Sequence, residues 1–353
     1  MKQALRMPAR ARAVAVTVVT AVAAASAVLI HAPVSAAPAP IVFASWGGTT
    51  QSAQQKDWTQ PFTQASGIQV LMDGPTDYGK LKAMVDSGNV QWDVVDVEGD
   101  FAYAALRDGL VEPIDYSVVN KAQLDPRFMS AGAVGSFYYS FVLGYNKAAY
   151  KSGAPANYAD LFDTKRFPGK RTFYKWSAPG VLEVALLADG VAPDKLYPLD
   201  LDRAFKKLDT IKSQIVWWSG GAQSQQLMAS GEAPIGVFWN GRLHALQQTG
   251  VDVGISWNQN LTAADMLVVP KGTKHKAEAM KFLASATGAQ AQADFAAATG
   301  YAPVNLKSAA LLPPDVAKTQ PDQYKATQIN LDMKYWADHR DEIAKRWYAW
   351  QSK

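Results

Sequence analysis

The chain has 353 residues, of which 48% are hydrophobic and 19% charged, with a formal net charge of +4. These values belong to ordinary globular proteins and exclude a disordered chain, a collagen and a multi-span membrane protein. The length exceeds one small core and suits two medium lobes or one large domain.

At the N-terminus, Lys2, Arg6, Arg10 and Arg12 form a basic stretch with no acid among them, and Ala13 to Ile30 is an almost unbroken apolar run. Val34-Ser35-Ala36 then supplies the small residues that a signal peptidase accepts. The pattern predicts a secretory signal peptide, residues 1–36, cleaved near Ala36, and so a periplasmic protein. The alternative is an uncleaved anchor, for which the apolar run is at the short end. Without this segment the chain carries 31 basic and 31 acidic residues, so the net charge belongs to the export signal and gives no support to nucleic-acid binding. The sequence contains no cysteine, which excludes a lipid-anchored receptor, disulfides and cysteine-ligated metals.

After the linker Ala37-Pro38-Ala39-Pro40, Ile41 to Ser45 reads as a strand and is followed by Gly47-Gly48 and a helix from about Ser52 to Gln64. Gly67 to Met72 is a second strand, Tyr78 to Asp86 a helix, Asp93 to Asp96 a third strand and Phe101 to Arg107 a third helix. Phe141 to Tyr145, Arg171 to Tyr174, Ile215 to Trp218, Pro234 to Trp239 and Met266 to Val269 are further strands. Helices follow near Lys276 to Ala286 and Ala289 to Thr299, and an aromatic helix ends near Trp347. Strands alternating with helices predict an open, mostly parallel α/β sheet, in which ligands bind at the carboxyl ends of strands. Trp46-Gly47-Gly48 and Glu98-Gly99-Asp100 fall at such ends.

An ordered set of short motifs spans nearly all of residues 37–353. It runs Ser45-Trp46-Gly47-Gly48, Trp92-Asp93-Val94-Val95, Leu106-Arg107-Asp108-Gly109-Leu110 and Leu143-Gly144-Tyr145-Asn146. It continues through Phe167-Pro168-Gly169-Lys170, Phe238-Trp239-Asn240-Gly241, Asp265 before Val268-Val269-Pro270, and Thr299-Gly300-Tyr301-Ala302-Pro303. With these motifs the chain resembles the extracellular solute-binding proteins of ABC importers, in the spermidine/putrescine-receptor family of type II fold. The resemblance implies two α/β lobes joined by crossover strands near Phe141–Asn146 and Asp265–Val269. Lobe 1 is then residues 37–142 plus 265–353, and lobe 2 is residues 143–264. It also implies a monomer that is not an enzyme, needs no cofactor or metal, and docks on an inner-membrane permease with a separate ATPase.

The resemblance further implies that Trp239 and Asp265 hold an amine, that Tyr301 is an aromatic wall, that Ser219 is a polar contact and that Trp46 is an aromatic at the first strand end. A desolvated ammonium favours an aromatic face and a carboxylate. The bland readings are core for Trp239 and a turn for Asp265. Trp217 and Trp218 must point opposite ways on a strand. The family's acids after the strand at Arg171–Tyr174 are absent here, where Trp176-Ser177-Ala178-Pro179-Gly180 stands. Arg242 adds what a polyamine site does not need. If it faces the cleft it offers a fork for a carboxylate, and otherwise it is a solvated helix-start residue. The expected solute is therefore a diamine or polyamine such as putrescine or spermidine, or a short ω-amino acid such as 4-aminobutyrate.

Two other readings compete. Tyr138-Tyr139 resemble the tyrosine pairs of ferric-ion receptors, although strand alternation sends them to opposite faces. An exported hydrolase lacks support, because the chain carries no H-E-x-x-H, G-x-S-x-G or Walker motif.

Overall fold

The computed structural model describes residues 39–353, and the export signal read from residues 1–36 lies outside them. The described chain opens with β1 (Ile41–Ala44) and α1 (Gly48–Gln54), which runs through a π-turn (Gln55–Thr59) into α2 (Gln60–Ser66). β2 (Val70–Asp73), α3 (Tyr78–Ser87), β3 (Val94–Glu98) and α4 (Gly99–Arg107) complete a first wing. The long strand β4 (Val134–Asn146) leads to α5 (Tyr158–Phe162), β5 (Arg171–Tyr174), α6 (Val181–Ala188) and α7 (Leu201–Asp209). The second wing ends with β6 (Ile215–Trp218), α8 (Gly221–Ala229), β7 (Ile235–Trp239) and α9 (Asn240–Gln248). A second long strand, β8 (Val253–Val268), returns to the first wing and is followed by α10 (Lys276–Ala286), α11 (Ala289–Thr299), a short α12 (Pro314–Ala317), β9 (Ile329–Asn330) and α13 (Met333–Gln351).

The strands form one nine-stranded sheet of order β2-β1-β3-β8-β4-β7-β5-β6, with β9 beside β8. β1 pairs in parallel with β2 and β3, and β5 in parallel with β6 and β7. β4 and β8 run antiparallel to each other and to β7 and β3 respectively. Each wing is thus the parallel α/β unit expected, but the centre is an antiparallel pair of long strands. The sequence reading found only their apolar ends. The start of β8 carries the polar run Ser256-Trp257-Asn258-Gln259-Asn260, where Gln259 takes a left-handed backbone (φ 60°), and so lacks a strand pattern.

Local chemistry explains the helices. Asp77 caps α3 by accepting from the Lys80 N–H at 2.8 Å, and Asp200 caps α7 by accepting from the Arg203 N–H at 3.0 Å. α6 is apolar almost throughout and buried on every side. Its one acid, Glu183, accepts from the Gly180 N–H at 2.8 Å, the Tyr197 hydroxyl at 2.8 Å and the Trp336 indole at 2.6 Å. α13 ties the wings together. Arg340 pairs with Asp100 in the first, while Trp347 donates to the Lys175 carbonyl at 2.9 Å in the second. Among the described residues no helix is long and apolar enough to cross a membrane.

Candidate functional site

The carboxyl ends of the parallel strands in both wings face one cavity of about 290 Å³. Trp46 follows β1, Pro75 follows β2 and Glu98 ends β3 on one side. On the other, Tyr174 ends β5, Ser219 and Gly220 follow β6, and Trp239 ends β7. Phe137 and Tyr139 of β4, Asp265 of β8, Thr50 of α1, Trp176 after β5, Arg242 in the first turn of α9, and Tyr301 complete the lining. All six residues singled out from sequence, Trp46, Ser219, Trp239, Arg242, Asp265 and Tyr301, therefore meet in one cavity.

The walls are aromatic and mutually braced. Tyr301 stacks on Phe137 at 4.9 Å between ring centroids, and Trp239 meets Tyr139 edge-on at 6.0 Å. Tyr174 and Trp218 pack behind Trp239 at 5.2 and 4.8 Å. Neither member of the Trp217-Trp218 pair lines the cavity: Trp218 supports Trp239, and Trp217 meets Trp347 and Trp350 of α13. Tyr138 and Tyr139 part as alternation requires. Tyr139 faces the cavity, whereas Tyr138 stacks on Phe128 at 5.0 Å. Only one phenol of that pair reaches the site, so the pair does not form the two-tyrosine arrangement of a ferric-ion receptor.

One end of the cavity is acidic. Asp265 sits inside β8, not in a turn before it, and is directly opposite Glu98 on β3 in the antiparallel register. Asp96, two residues before Glu98 on the same face, accepts from the Gln54 amide at 2.6 Å. Glu98 accepts from the Tyr78 hydroxyl at 3.2 Å. Burial pushes the carboxyls of Asp96 and Glu98 up to about 7, and for Glu98 the neighbouring Asp100 adds to the rise. Burial drives Asp265 well above the usual carboxylate range, reinforced by Asp96, Glu98 and Asp100. The Trp46 indole only partly offsets this, and its N–H lies outside hydrogen-bond geometry with any acceptor among the described residues.

The opposite sign comes from Arg242. Its guanidinium crosses from the second wing to the first, donating to the Thr49 hydroxyl at 3.0 Å and the Thr50 hydroxyl at 3.4 Å. Its Nε is buried without a partner, and among the described residues it pairs with no carboxylate. It is close enough to Tyr301 to offset part of the rise that burial gives that phenol. Two glycines make room for this geometry. A Cβ on Gly221 would stand 2.1 Å from Arg242 Nε, and one on Gly241 would stand 2.5 Å from the Tyr301 ring. The Trp239 indole N–H is likewise buried and unpaired. Ser219 is exposed at the rim, where its N–H and hydroxyl donate to Gln223 at 2.8 and 3.0 Å.

Sequence reasoning missed Glu98 as a site residue, although it had marked that strand end, and also Phe137, Tyr174, Trp176 and Thr50, and it considered Tyr139 only as an iron ligand. The strand-end rule held the signal for Glu98 and Tyr174. Nothing local marked Thr50 or Phe137, which enter through helix placement and strand register. Among the described residues no cluster of His, Cys, Asp and Glu has the arrangement of a metal site.

Comparison with known proteins agrees with this architecture. Residues 57–326 match the bacterial extracellular solute-binding protein family. The chain is 37% identical over 319 residues to the gamma-aminobutyric acid-binding protein of Pseudomonas aeruginosa, covering 88% of this chain and 90% of that one. It is 24% identical to the spermidine/putrescine-binding periplasmic protein of Escherichia coli, over 73% of this chain and 76% of the relative. Among solved structures, a GABA receptor superposes with a TM-score of 0.86 at 67% identity, over 89% of this chain and 98% of that one. An ABC transporter substrate-binding protein from Bradyrhizobium japonicum gives 0.84 at 36%, over 89% and 99%. The chain therefore belongs to the bacterial extracellular solute-binding proteins and is the non-enzymatic, solute-capturing component of an ABC importer.

Proposed function

We propose that the solute is a short ω-amino acid, with 4-aminobutyrate the simplest that fits. The observation that carries the reading is charge of both signs on one aromatic cavity, with no ion pair between the two ends. Arg242 has no carboxylate of its own to neutralise it, and its Nε is buried without a hydrogen-bond partner. A solute carboxylate supplies the missing partner through a bidentate fork. Asp265 takes the ammonium at the other end, with Trp239, Tyr301 and Trp46 around the chain between them and Ser219 at the rim. A cavity of about 290 Å³ is at the small end for ligand sites, in keeping with a small solute. A diamine would set a second ammonium against Arg242. The names of two relatives, a gamma-aminobutyric acid-binding protein and a GABA receptor, point the same way.

In this reading residues 1–36 are removed on export and the protein works as a monomer in the periplasm. Residues 37–142 with 265–353, and residues 143–264, form two lobes that close about β4 and β8 when the solute enters. The closed form docks on an inner-membrane permease. The test is a thermal-shift panel on residues 37–353, unfolded and refolded to strip carried-over solute. The panel holds 4-aminobutyrate, 5-aminovalerate, putrescine, spermidine and ferric citrate. Ligand at a hundred times its dissociation constant adds about 2.7 kcal/mol, a visible shift. A shift with the ω-amino acids is expected. A shift with the diamines alone would overturn the proposal. N-terminal sequencing of the exported protein tests cleavage near Ala36.

A further inference from the structure

We infer that Glu98 and Asp265 act as one proton-holding pair, and that entry of the solute's ammonium expels the shared proton, so that capture is coupled to proton release. The inference rests on the ω-amino acid reading for the identity of the cation, and on strand register for the pair itself. β3 and β8 run antiparallel with Glu98 directly opposite Asp265, and both side chains line the cavity. Like charges placed directly across a ladder repel, and the less water reaches such a pair the less readily both ionise; Asp265 is buried and Glu98 partly buried.

The surroundings deepen the imbalance. Asp96 stands on the same strand with Oδ1 buried and unpaired, and Asp100 opens α4 behind Glu98. The cation on this side is Arg340 of α13, and it is already paired with Asp100. Tyr78 of α3 donates one hydrogen bond to Glu98, while the phenols of Tyr139 and Tyr174 face the pair from β4 and β5 and carry no charge to offset it. Arg242 belongs to the other end of the cavity, against Thr49 and Thr50. Four carboxylates thus share one guanidinium. Burial lifts both members of the pair, in line with a proton resident near neutral pH.

An ammonium delivered between the two carboxylates does the work of that proton and brings three donors of its own. The pair then carries two negative charges against the ligand's one positive charge, and the displaced proton leaves to solvent. Glu98 acquires a role that the sequence did not reveal. It makes the amine end selective for a primary ammonium, because a quaternary amine offers no N–H donors to two carboxylates at once.

The test is calorimetric titration of the refolded protein with 4-aminobutyrate in buffers of different ionisation enthalpy. Net proton release per solute is expected at about pH 6, and the count should fall as pH rises. In Glu98→Gln the release at the lower pH should fall below half. No release by the wild type, or an unchanged count in the variant, would overturn the inference. A ligand-free arm separates this from the identity of the solute. Melting temperatures of wild type and Glu98→Gln are compared from about pH 4.5 to 8.5, and the variant should gain on the wild type as pH rises. If 4-aminobutyrate fails to bind but that gap opens, the ω-amino acid reading falls and the proton-sharing pair stands. A gap that stays flat with pH contradicts the pair.

Discussion

The two charged ends of the cavity are built differently. The acidic end lies on neighbouring strands at the centre of the sheet, where backbone pairing fixes Glu98 against Asp265. The basic end is a single arginine on the first turn of α9, held by two threonine hydroxyls from the other wing. Strand register gives a rigid pair of like charges that needs a cation. A long side chain reaching across the cleft gives a charge without a carboxylate partner, held only by two hydroxyls of the other wing. In the proposed reading the first end anchors the solute's amine, and the second meets its carboxylate when both wings are together around it.

This contrast can be broken from either side, and the largest effect belongs to Arg242. Removing one partner of a buried charge pair costs about 2–5 kcal/mol, so Arg242→Ala should weaken 4-aminobutyrate by about thirtyfold or more while leaving the melting temperature of the empty protein almost unchanged. Calorimetry and thermal melting check the two halves of that statement. Asp265→Asn is next. A hydrogen bond to a charged group contributes about 1.5–3 kcal/mol, and Asn keeps the shape, so a loss of about tenfold to a hundredfold in affinity is expected. Wild-type affinity in this variant would remove Asp265 from the amine end. Gly221→Ala tests the positioning of the arginine without touching its charge. Its Cβ would stand 2.1 Å from Arg242 Nε, so the side chain must shift, and a loss of about tenfold, or about 1.4 kcal/mol, is expected.

The smallest effect concerns the empty protein. The carboxyls of Asp96 and Glu98 are raised to about 7 by burial. Groups raised in the folded state contribute stability below their unfolded values, and that contribution is lost as pH rises through about 7. The ligand-free protein should therefore melt lower at about pH 8 than at about pH 5. Asp96→Asn should raise the melting temperature by about 2 °C at the higher pH and hardly at all near pH 4. An equal shift at both would show that Asp96 is ionised throughout.

Much of this was legible in the sequence, for physical reasons that differ by element. β6 was read at its observed bounds because it is a short apolar run closed by Ser219 and Gly220, and β5 was read at its bounds although it opens with Arg171 and Thr172. α10 and α11 were read because they bury one face and end near small or turn residues. β4 and β8 were read only at their ends, since the unread part of β8 carries the polar run Ser256 to Asn260 and that of β4 mixes Gly135, Ser136 and Ser140 with its aromatics. α6 escaped because a helix buried on every side has no amphipathic period. At the site, Trp46, Trp239, Asp265 and Tyr301 were reachable through strand ends and family resemblance, and Arg242 through its place after the Trp-Asn-Gly turn. Glu98 was within reach of the strand-end rule, but its pairing with Asp265 was not, because that lies in the residue across the ladder. Which strand lies beside β3, and in what register, is a property of the assembled sheet.

The most direct test of the central claim is a comparison of dissociation constants for three four-carbon solutes on the refolded protein: 4-aminobutyrate, putrescine and butyrate. A cavity built for separated charges of opposite sign predicts that 4-aminobutyrate binds at least about a hundredfold more tightly than either, a difference of about 2.8 kcal/mol. Putrescine binding as tightly as 4-aminobutyrate would contradict the account, because Arg242 would then have no anion to meet.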